Sequence, residues 1–487
     1  MDSYSEKNIN SNSSTDTTLA KIKSNSTSSN NIKNFIEIFK ITLVLSLLIF
    51  IYFYPFQDRE VGKMPIISQL KDGQNYNIDS NYEKVSPRDD KYIYIPVVGT
   101  NDFHGTFFPT INHFYSEGKK VEYKTGGLEY ISKYINILKN EFGDNRVLYF
   151  DSGDQFMKTP ETLLFDGQNI LEFFSTIGLN ATTLGNIDYL HKREWIENII
   201  KKTQYPYLIN NIKDIVTKKT KGALGDNQKQ SQIFEIKLND KEIIKIGVIG
   251  LTLNVGKDKK FFDIGNKETW DNIEFLPYHT NLEEESKKLK DQGATAIILV
   301  SHIGLTCYNV EETSKINMYT MHTKQSECEH TGNSLLYKFI QNLKPNTIDA
   351  IIGGDIHNNV HHWVNNIPIM ITTGKAKYVN IMYLPFKKED NKYILVNKDI
   401  KIEGPLPSCE KVFINLNNCE KIEDNNKNLK LTKYYWHKEK MERDEMTKPL
   451  FDKYYDLYKK ASNNKVGGIK NLSKQLLMTR KKRKKNI

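Results

Sequence analysis

Val97-Val98-Gly99-Thr100-Asn101-Asp102-Phe103-His104-Gly105 decides how the rest of the chain is read. Residues 92–98 are apolar, β-branched and aromatic, which predicts a buried strand. That strand runs straight into Asn-Asp-x-His-Gly, so a carboxylate and an imidazole stand two residues apart at its C-terminal edge. In an extended or turning segment such a pair can aim both side chains at one cation. A hard oxygen with a borderline nitrogen suits Zn, Mn or Fe. Taken alone, the pair fits a turn aspartate beside a surface histidine equally well. The metal reading gains weight because the pattern of strand then ligand-type residue recurs four more times in order. These are Leu148-Tyr149-Phe150-Asp151-Ser152-Gly153-Asp154, Leu184-Gly185-Asn186-Ile187-Asp188, Leu299-Val300-Ser301-His302-Ile303-Gly304 and Ile351-Ile352-Gly353-Gly354-Asp355-Ile356-His357. A glycine beside the ligands lets the backbone turn sharply at the sheet's rim.

Around these motifs, short apolar strands alternate with amphipathic helices. Strands are predicted at 92–98, 147–150, 181–184, 245–249, 296–300 and 350–352, and helices at 128–140, 170–177, 195–202, 282–292 and 334–343. The alternation argues an α/β fold with helices covering a sheet. Ligands in such folds collect beyond the carboxyl ends of the strands, where the polar motifs sit. Residues 367–371 and 380–385 read as two further strands, antiparallel at the sheet's edge. From about Pro405 the chain becomes charged and its strand signals stop, leaving helix-like stretches such as 450–460.

The order of the five motifs resembles the calcineurin-like metallophosphoesterases, and within them the 5′-nucleotidase and UDP-sugar hydrolase branch. Thr125-Gly126-Gly127-Leu128, Tyr205-Pro206-Tyr207-Leu208 ahead of Asn211, Lys245 to Thr252, and Ile367-Pro368 leading to Thr373-Gly374-Lys375 add to the resemblance. It implies a β-sandwich flanked by helices in α-β-β-α layers, over about 91–405, holding two divalent metal ions (Mn, Zn, Fe or Mg). Carried over by position, Asp102, His104, Asp154 and His357 hold the first metal. Asp154, Asn186, His302 and the position of Asp355 hold the second. Two like-charged ions need a shared carboxylate between them, and together they acidify a bridging water into a nucleophile at neutral pH. The implied activity is hydrolysis of a phosphate ester, with a nucleotide among the candidate substrates.

Two departures qualify that expectation. The family motif Gly-Asn-His-Glu/Asp-x-Asp has its histidine and last aspartate replaced by Ile187 and Leu190. Neither can carry a proton, and general acid–base help is typically worth ~10²–10⁴ in rate, so turnover should be reduced. His191 is a candidate replacement if a helix starts after Asn186, since residues four apart share a face. The other reading is a surface histidine at a helix start. The second departure is Asp355, where the family has a histidine, which adds a carboxylate and favours harder metals. The family's large C-terminal domain, which stacks the base between aromatics, is expected to be missing or much reduced. His361 and His362 read as rim residues. A metal-binding pseudophosphatase serving as a membrane anchor or scaffold, with protein partners, is the alternative function.

Composition bounds the rest. The 487 residues carry a net charge of +10, concentrated in the run 480–485, and no nucleic acid is expected as a partner. Residues 1–33, rich in Ser, Asn and Thr, read as disordered. Residues 34–56 contain the uncharged run 41–56 and read as a transmembrane signal anchor, with 57–90 a tether. The four cysteines, read as Cys307 with Cys328 and Cys409 with Cys419, suit two loop disulfides. That predicts a single-pass membrane protein whose metal domain is lumenal or extracellular.

Overall fold

The strand predicted at the opening motif spans Ile93–Thr100, with every residue buried. Such a strand must be covered on both faces, so its continuous apolar run is already a statement about layers. In the computed structural model, residues 84–116, 118–157, 159–254, 270–305, 334–414, 418–420 and 429–463 are described. Ile93–Thr100 pairs in parallel with Leu148–Asp151, which continues in parallel through Ala181–Thr182, Tyr207–Leu208 and Gln228–Lys229. On its other side it pairs antiparallel with Tyr378–Glu389, which also carries Lys392–Leu395 and Lys401–Pro407.

A second sheet runs Val360–Val364, Ile367–Ile371, Ala350–Ile352, Ala296–Ser301, Ile243–Leu251 and Ser231–Lys237. Its four central strands are parallel and its two outer strands antiparallel. The sheets face each other through one apolar layer. Ile95, Val97 and Phe150 from the first meet Ile246, Val248, Ile298, Val300 and Ile352 from the second. Full burial of such side chains stabilises by roughly 1.5–3 kcal/mol each. The helix Leu128–Phe142 buries Ile131, Tyr134, Ile135, Leu138 and Phe142, the i, i+3, i+4 stripe of an amphipathic helix. With Gln168–Ile177 and Arg193–Lys202 it shares the core on the outer face of the first sheet. Leu282–Asp291 and Leu335–Gln341 do the same for the second. The α-β-β-α layering implied by the family resemblance is therefore the fold.

Three expectations need correction. Ile367–Ile371 and Tyr378–Glu389 are not an edge pair. They lie in different sheets, and Tyr378–Glu389 sits inside the first, buried from Tyr378 to Phe386 because neighbours flank both its edges. Strands also continue past Pro405. Lys401–Pro407 crosses that position, Lys411–Phe413 pairs with Leu431–Lys433, and Tyr435–Trp436 pairs with Glu439–Lys440. These pieces are too short and polar to be read from periodicity. The helix Lys448–Asn463 then returns to the main core, where Phe451 stacks on Phe107 at 4.6 Å. Finally, His361 and His362 are buried within the strand Val360–Val364, where pairing with Ile367–Ile371 places them inside and not on a rim.

Cys409 and Cys419 form a disulfide, whereas Cys307 and Cys328 lie outside the described residues. The anchor segment 34–56 and the tether to position 83 also lie outside them. Among the described residues no helix is long and apolar enough to cross a membrane.

Candidate metal centre

All five motifs end at the carboxyl edges of parallel strands, so the fold delivers their side chains to one rim. Asp102 and His104 follow Ile93–Thr100, Asp154 follows Leu148–Asp151, and Asn186 follows Ala181–Thr182 in the first sheet. His302 follows Ala296–Ser301, and Asp355 and His357 follow Ala350–Ile352 in the second. Hydrogen bonds stitch the two edges together. Ser152 Oγ donates to the Gly353 carbonyl at 2.6 Å, the Asp355 N–H donates to Asp102 Oδ2 at 2.9 Å, and His302 Nδ1 donates to the Ser152 carbonyl at 2.7 Å.

Two groups of potential ligands result, each with its ligand atoms within 4.8 Å of one another: Asp102 with His104 and His357, and Asp102 with Asp154 and His302. In the first, the His104 and His357 Nε2 atoms are 2.7 Å apart, and Asp102 Oδ1 lies 3.4 and 3.1 Å from them. In the second, His302 Nε2 lies 3.3 Å from Asp154 Oδ2 and 3.1 Å from Asn186 Oδ1. Asp154 Oδ2 is also 3.9 Å from His104 Nε2, so this carboxylate faces histidines of both groups.

The donor set suits cations. A carbonyl can only accept, so His302 Nδ1 carries a hydrogen, and Nε2 turns towards two further acceptor oxygens. That arrangement needs a positive charge at Nε2, either a proton or a metal ion. Burial opposes a charged His302, but Asp154 and Asp102 outweigh it and raise its pKa well above the usual histidine value. Asp102 is fully buried, which favours its neutral form, yet His302, His104, His357 and Asn101 together hold its pKa far below the usual value. A cation among these atoms would satisfy the same field.

The backbone is strained where the ligands sit. Asp102, His104, Asp154 and Asp355 have φ of 57°, 50°, 56° and 71°. Left-handed non-glycine residues cost of order 1–3 kcal/mol each and persist where surrounding contacts enforce them. Those contacts are visible. Asn101 donates from Nδ2 to Asp102 Oδ2 at 2.7 Å, while its Oδ1 accepts from the Thr372 N–H and hydroxyl. Asp188, fully buried, accepts from the N–H groups of Asp154, Phe156 and Gly185, each at 2.9 Å. Burial raises the Asp188 pKa to about 8, with Asp154 adding to it and the N–H bonds from Phe156 and Gly185 opposing. Below it, Asp151 accepts from Thr100 Oγ1 and Gln155 Nε2, and burial lifts its pKa to about 7. Close packing matters as well, since a Cβ on Gly354 would sit 2.9 Å from His302 Nδ1 and 3.0 Å from Ser152 Oγ.

This geometry coincides with the sequence match. The profile of the calcineurin-like phosphoesterases covers residues 95–359, more than half of the chain and all seven candidate ligands. The chain belongs to that family. Among curated proteins the chain is similar to 5′-nucleotidases. It is 25% identical over 238 residues to the NAD 5′-nucleotidase of Haemophilus influenzae, covering 48% of this chain and 36% of that one. It is 29% identical over 223 residues to the 5′-nucleotidase of Vibrio cholerae, covering 44% and 34%. The bovine 5′-nucleotidase matches at 26% over 213 residues, covering 43% and 34%. The match thus spans about a third of the length of these relatives. The solved NAD nucleotidase of H. influenzae superposes with a TM-score of 0.50 at 16% identity, covering 77% of this chain and 62% of that one, which shows the shared fold.

The candidate residues separate into those the structure brings together and those it does not. Asp102, His104, Asp154, His302 and His357 converge, with Asn186 beside them through His302. Asp355 belongs to neither group and reaches the site through its backbone N–H. Burial raises its pKa, with His302 opposing and Asp102 and Asp154 adding to the rise. Ile187 lies at the rim, its N–H donating to Asp154 Oδ1 at 2.7 Å, and Leu190 ends the short 3₁₀ turn Asp188–Leu190. His191 requires a correction. No α-helix starts after Asn186, because the chain makes only that 3₁₀ turn, and His191 is extended, with φ −82° and ψ 159°. The α-helix begins at Arg193. Ile187 and His191 therefore do not share a helical face, and the His191 ring is buried and stacks on Trp195 at 4.2 Å. Sequence reasoning missed the roles of Asn101 and Asp188. Asp188 stood inside a quoted motif, but its partners are backbone N–H groups that carry no side-chain signal.

Proposed function

We propose that this phosphoesterase is a two-metal hydrolase of 5′-nucleotidase type acting on a phosphate ester. The observation that carries the reading is the convergence of two ligand groups that share Asp102 and are both faced by Asp154. His104, His357 and Asp102 would hold one ion, and Asp102, Asp154, His302 and Asn186 the other. Bound metals would acidify a water and neutralise charge developing on the phosphoryl group. The chain's own contribution is orientation. Ser152 fixes the His302 ring with Nε2 towards the ions, Asn101 fixes Asp102, and Asp188 fixes the backbone of Asp154. The relatives' names favour a nucleotide as the ester.

Turnover is reduced in this reading, because Ile187 and Leu190 offer no proton at the family's histidine and aspartate positions. With Ile187 at the rim and His191 stacked away on Trp195, no imidazole among the described residues replaces the missing one at that turn. The same observation favours a second reading, a metal-binding pseudophosphatase acting as a scaffold. Anchoring through residues 34–56, with the metal domain outside the cytosol, rests on the uncharged run 41–56 and fits the disulfide Cys409–Cys419. The test is hydrolysis of p-nitrophenyl phosphate and AMP by the full chain with added Mn or Zn, beside Ile187→His. The enzyme reading expects measurable wild-type turnover and a rise of ~10²-fold or more with the restored histidine. Metal binding without turnover in either protein would leave the scaffold.

A further inference from the structure

Lys375 follows the strand Ile367–Ile371 on the segment that closes the site from the second sheet. Its N–H donates to the Asp102 carbonyl at 2.8 Å, so its main chain is pinned to that of a ligand common to both groups. The contact is close because Gly374 precedes it; a Cβ there would lie 2.7 Å from Asp102 Cβ. Lys375 and Ala376 are both left-handed, with φ of 54° and 53°. Two consecutive non-glycine residues in that region need enforcement, and the bond to Asp102 supplies part of it. The Lys375 side chain is exposed. Among the described residues its ammonium makes no hydrogen bond or ion pair, whereas Lys377, two residues on, is paired with Glu420.

The geometry points to Lys375 as a phosphate-binding residue of the metal centre, donating to the phosphoryl oxygens in place of the side chain that Ile187 lacks. This rests on the phosphoesterase reading above. Two features of this chain create the need. Ile187 removes a donor from the rim, and Asp355 adds a carboxylate that repels an anion. An exposed ammonium on a flexible stem, fixed at its base to a metal ligand, offers three donors and a full charge. An ammonium has no lone pair, so it assists binding and does not relay a proton. A contact present in both the bound ester and the transition state lowers KM and leaves kcat nearly unchanged.

The experiment uses the full chain loaded with Mn, as wild type, Lys375→Met and Lys375→Arg. Inorganic phosphate binding is measured by calorimetry, and metal content by elemental analysis. Lys375→Met keeps the same Cβ and stem length, so the left-handed backbone is no more strained than before. Phosphate affinity is expected to fall about tenfold in Lys375→Met and to return in Lys375→Arg, the size of one lost charge-assisted hydrogen bond, with metal content unchanged. If the esterase turns over, KM for p-nitrophenyl phosphate rises by a similar factor. Unchanged phosphate affinity in Lys375→Met at full metal loading overturns the inference, even if turnover is present. Phosphate binding that depends on Lys375 in a protein without turnover keeps it and sinks the hydrolase reading instead. Should Lys375→Met fail to fold, acetylation of Lys375 in the wild type decides. Phosphate protects that side chain if it binds there, and an unchanged modification rate overturns the inference.

Discussion

Replacing Asp188 by alanine removes one carboxylate and strands three donors. The N–H groups of Asp154, Phe156 and Gly185 each point at it from 2.9 Å, and the side chain is fully buried. An unsatisfied buried donor costs ~1–3 kcal/mol, so three set a range of about 3–9 kcal/mol. Water entering the vacated volume would recover some of this, which places the expected loss at about 3–6 kcal/mol. Against a typical total stability of ~5–15 kcal/mol, that is a large fraction. Asp188→Asn keeps the shape and one acceptor oxygen, but turns an amide towards a donor, and should lose about 2–3 kcal/mol. The effect should reach the metals, since Asp188 holds the backbone of Asp154 in its left-handed conformation. Urea unfolding of Asp188→Ala and Asp188→Asn, paired with calorimetric titration of Mn, reads both consequences. A stability within ~1 kcal/mol of wild type for Asp188→Ala, with unaltered metal affinity, would refute the view that this carboxylate organises the turn.

Other expectations follow from particular contacts. Phe451 is buried and stacks on Phe107, three residues beyond His104. Phe451→Ala should cost about 3–5 kcal/mol and speed amide exchange through the loop at 103–108. Exchange confined to the helix Lys448–Asn463 would contradict the coupling. Gly354→Ala should weaken metal binding with little change in secondary structure, because its new methyl group would press on His302 Nδ1, Ser152 Oγ and Asp102 Oδ2; unchanged metal affinity by titration would count against this. Asp214 lies away from the metals. The Thr217 N–H and the Arg193 guanidinium lower its pKa from 3.8 to about 2 against a desolvation cost. A carboxylate with a lowered folded-state pKa stabilises above its unfolded value and loses that contribution as pH falls. Solvent screening weakens the contribution, so wild type should lose on the order of 1 kcal/mol between roughly pH 4 and pH 2, relative to Asp214→Asn, in urea titrations. Parallel pH dependence of the two proteins would show that the pair contributes nothing.

Much of this could be read directly from the chain because it depends on local pattern. Buried strands such as Ile93–Thr100 and Ala296–Ser301 are near-continuous apolar runs, and each ends at a ligand-type residue. The five converging side chains all lie in those strand-then-ligand motifs, and the family resemblance selected them from the candidates each motif offered. The parts that escaped depend on distant or backbone partners. Asp188 works through N–H groups, which every residue possesses. Trp436 on Tyr134 and Phe451 on Phe107 join residues about three hundred positions apart, so no window of sequence contains both. The turn after Asn186 misled for a related reason. Asp188 spends its side chain on the backbone of Asp154, Phe156 and Gly185, which holds the chain in a 3₁₀ turn and delays the α-helix to Arg193. Periodicity could not foresee that Asp355 would approach Asp102 by its main chain while His357 approaches by its ring.

The central claim is that two ions share one site in which Asp154 faces both ligand groups. The most direct measurement is the metal content of the full chain, with hydrolysis of p-nitrophenyl phosphate, for wild type and Asp154→Asn. The account predicts two Mn or Zn ions per wild-type chain, turnover abolished by chelation, and loss of at least one ion together with activity in Asp154→Asn. A wild-type chain that binds no divalent ion, or an Asp154→Asn chain that keeps both ions and full turnover, would contradict it.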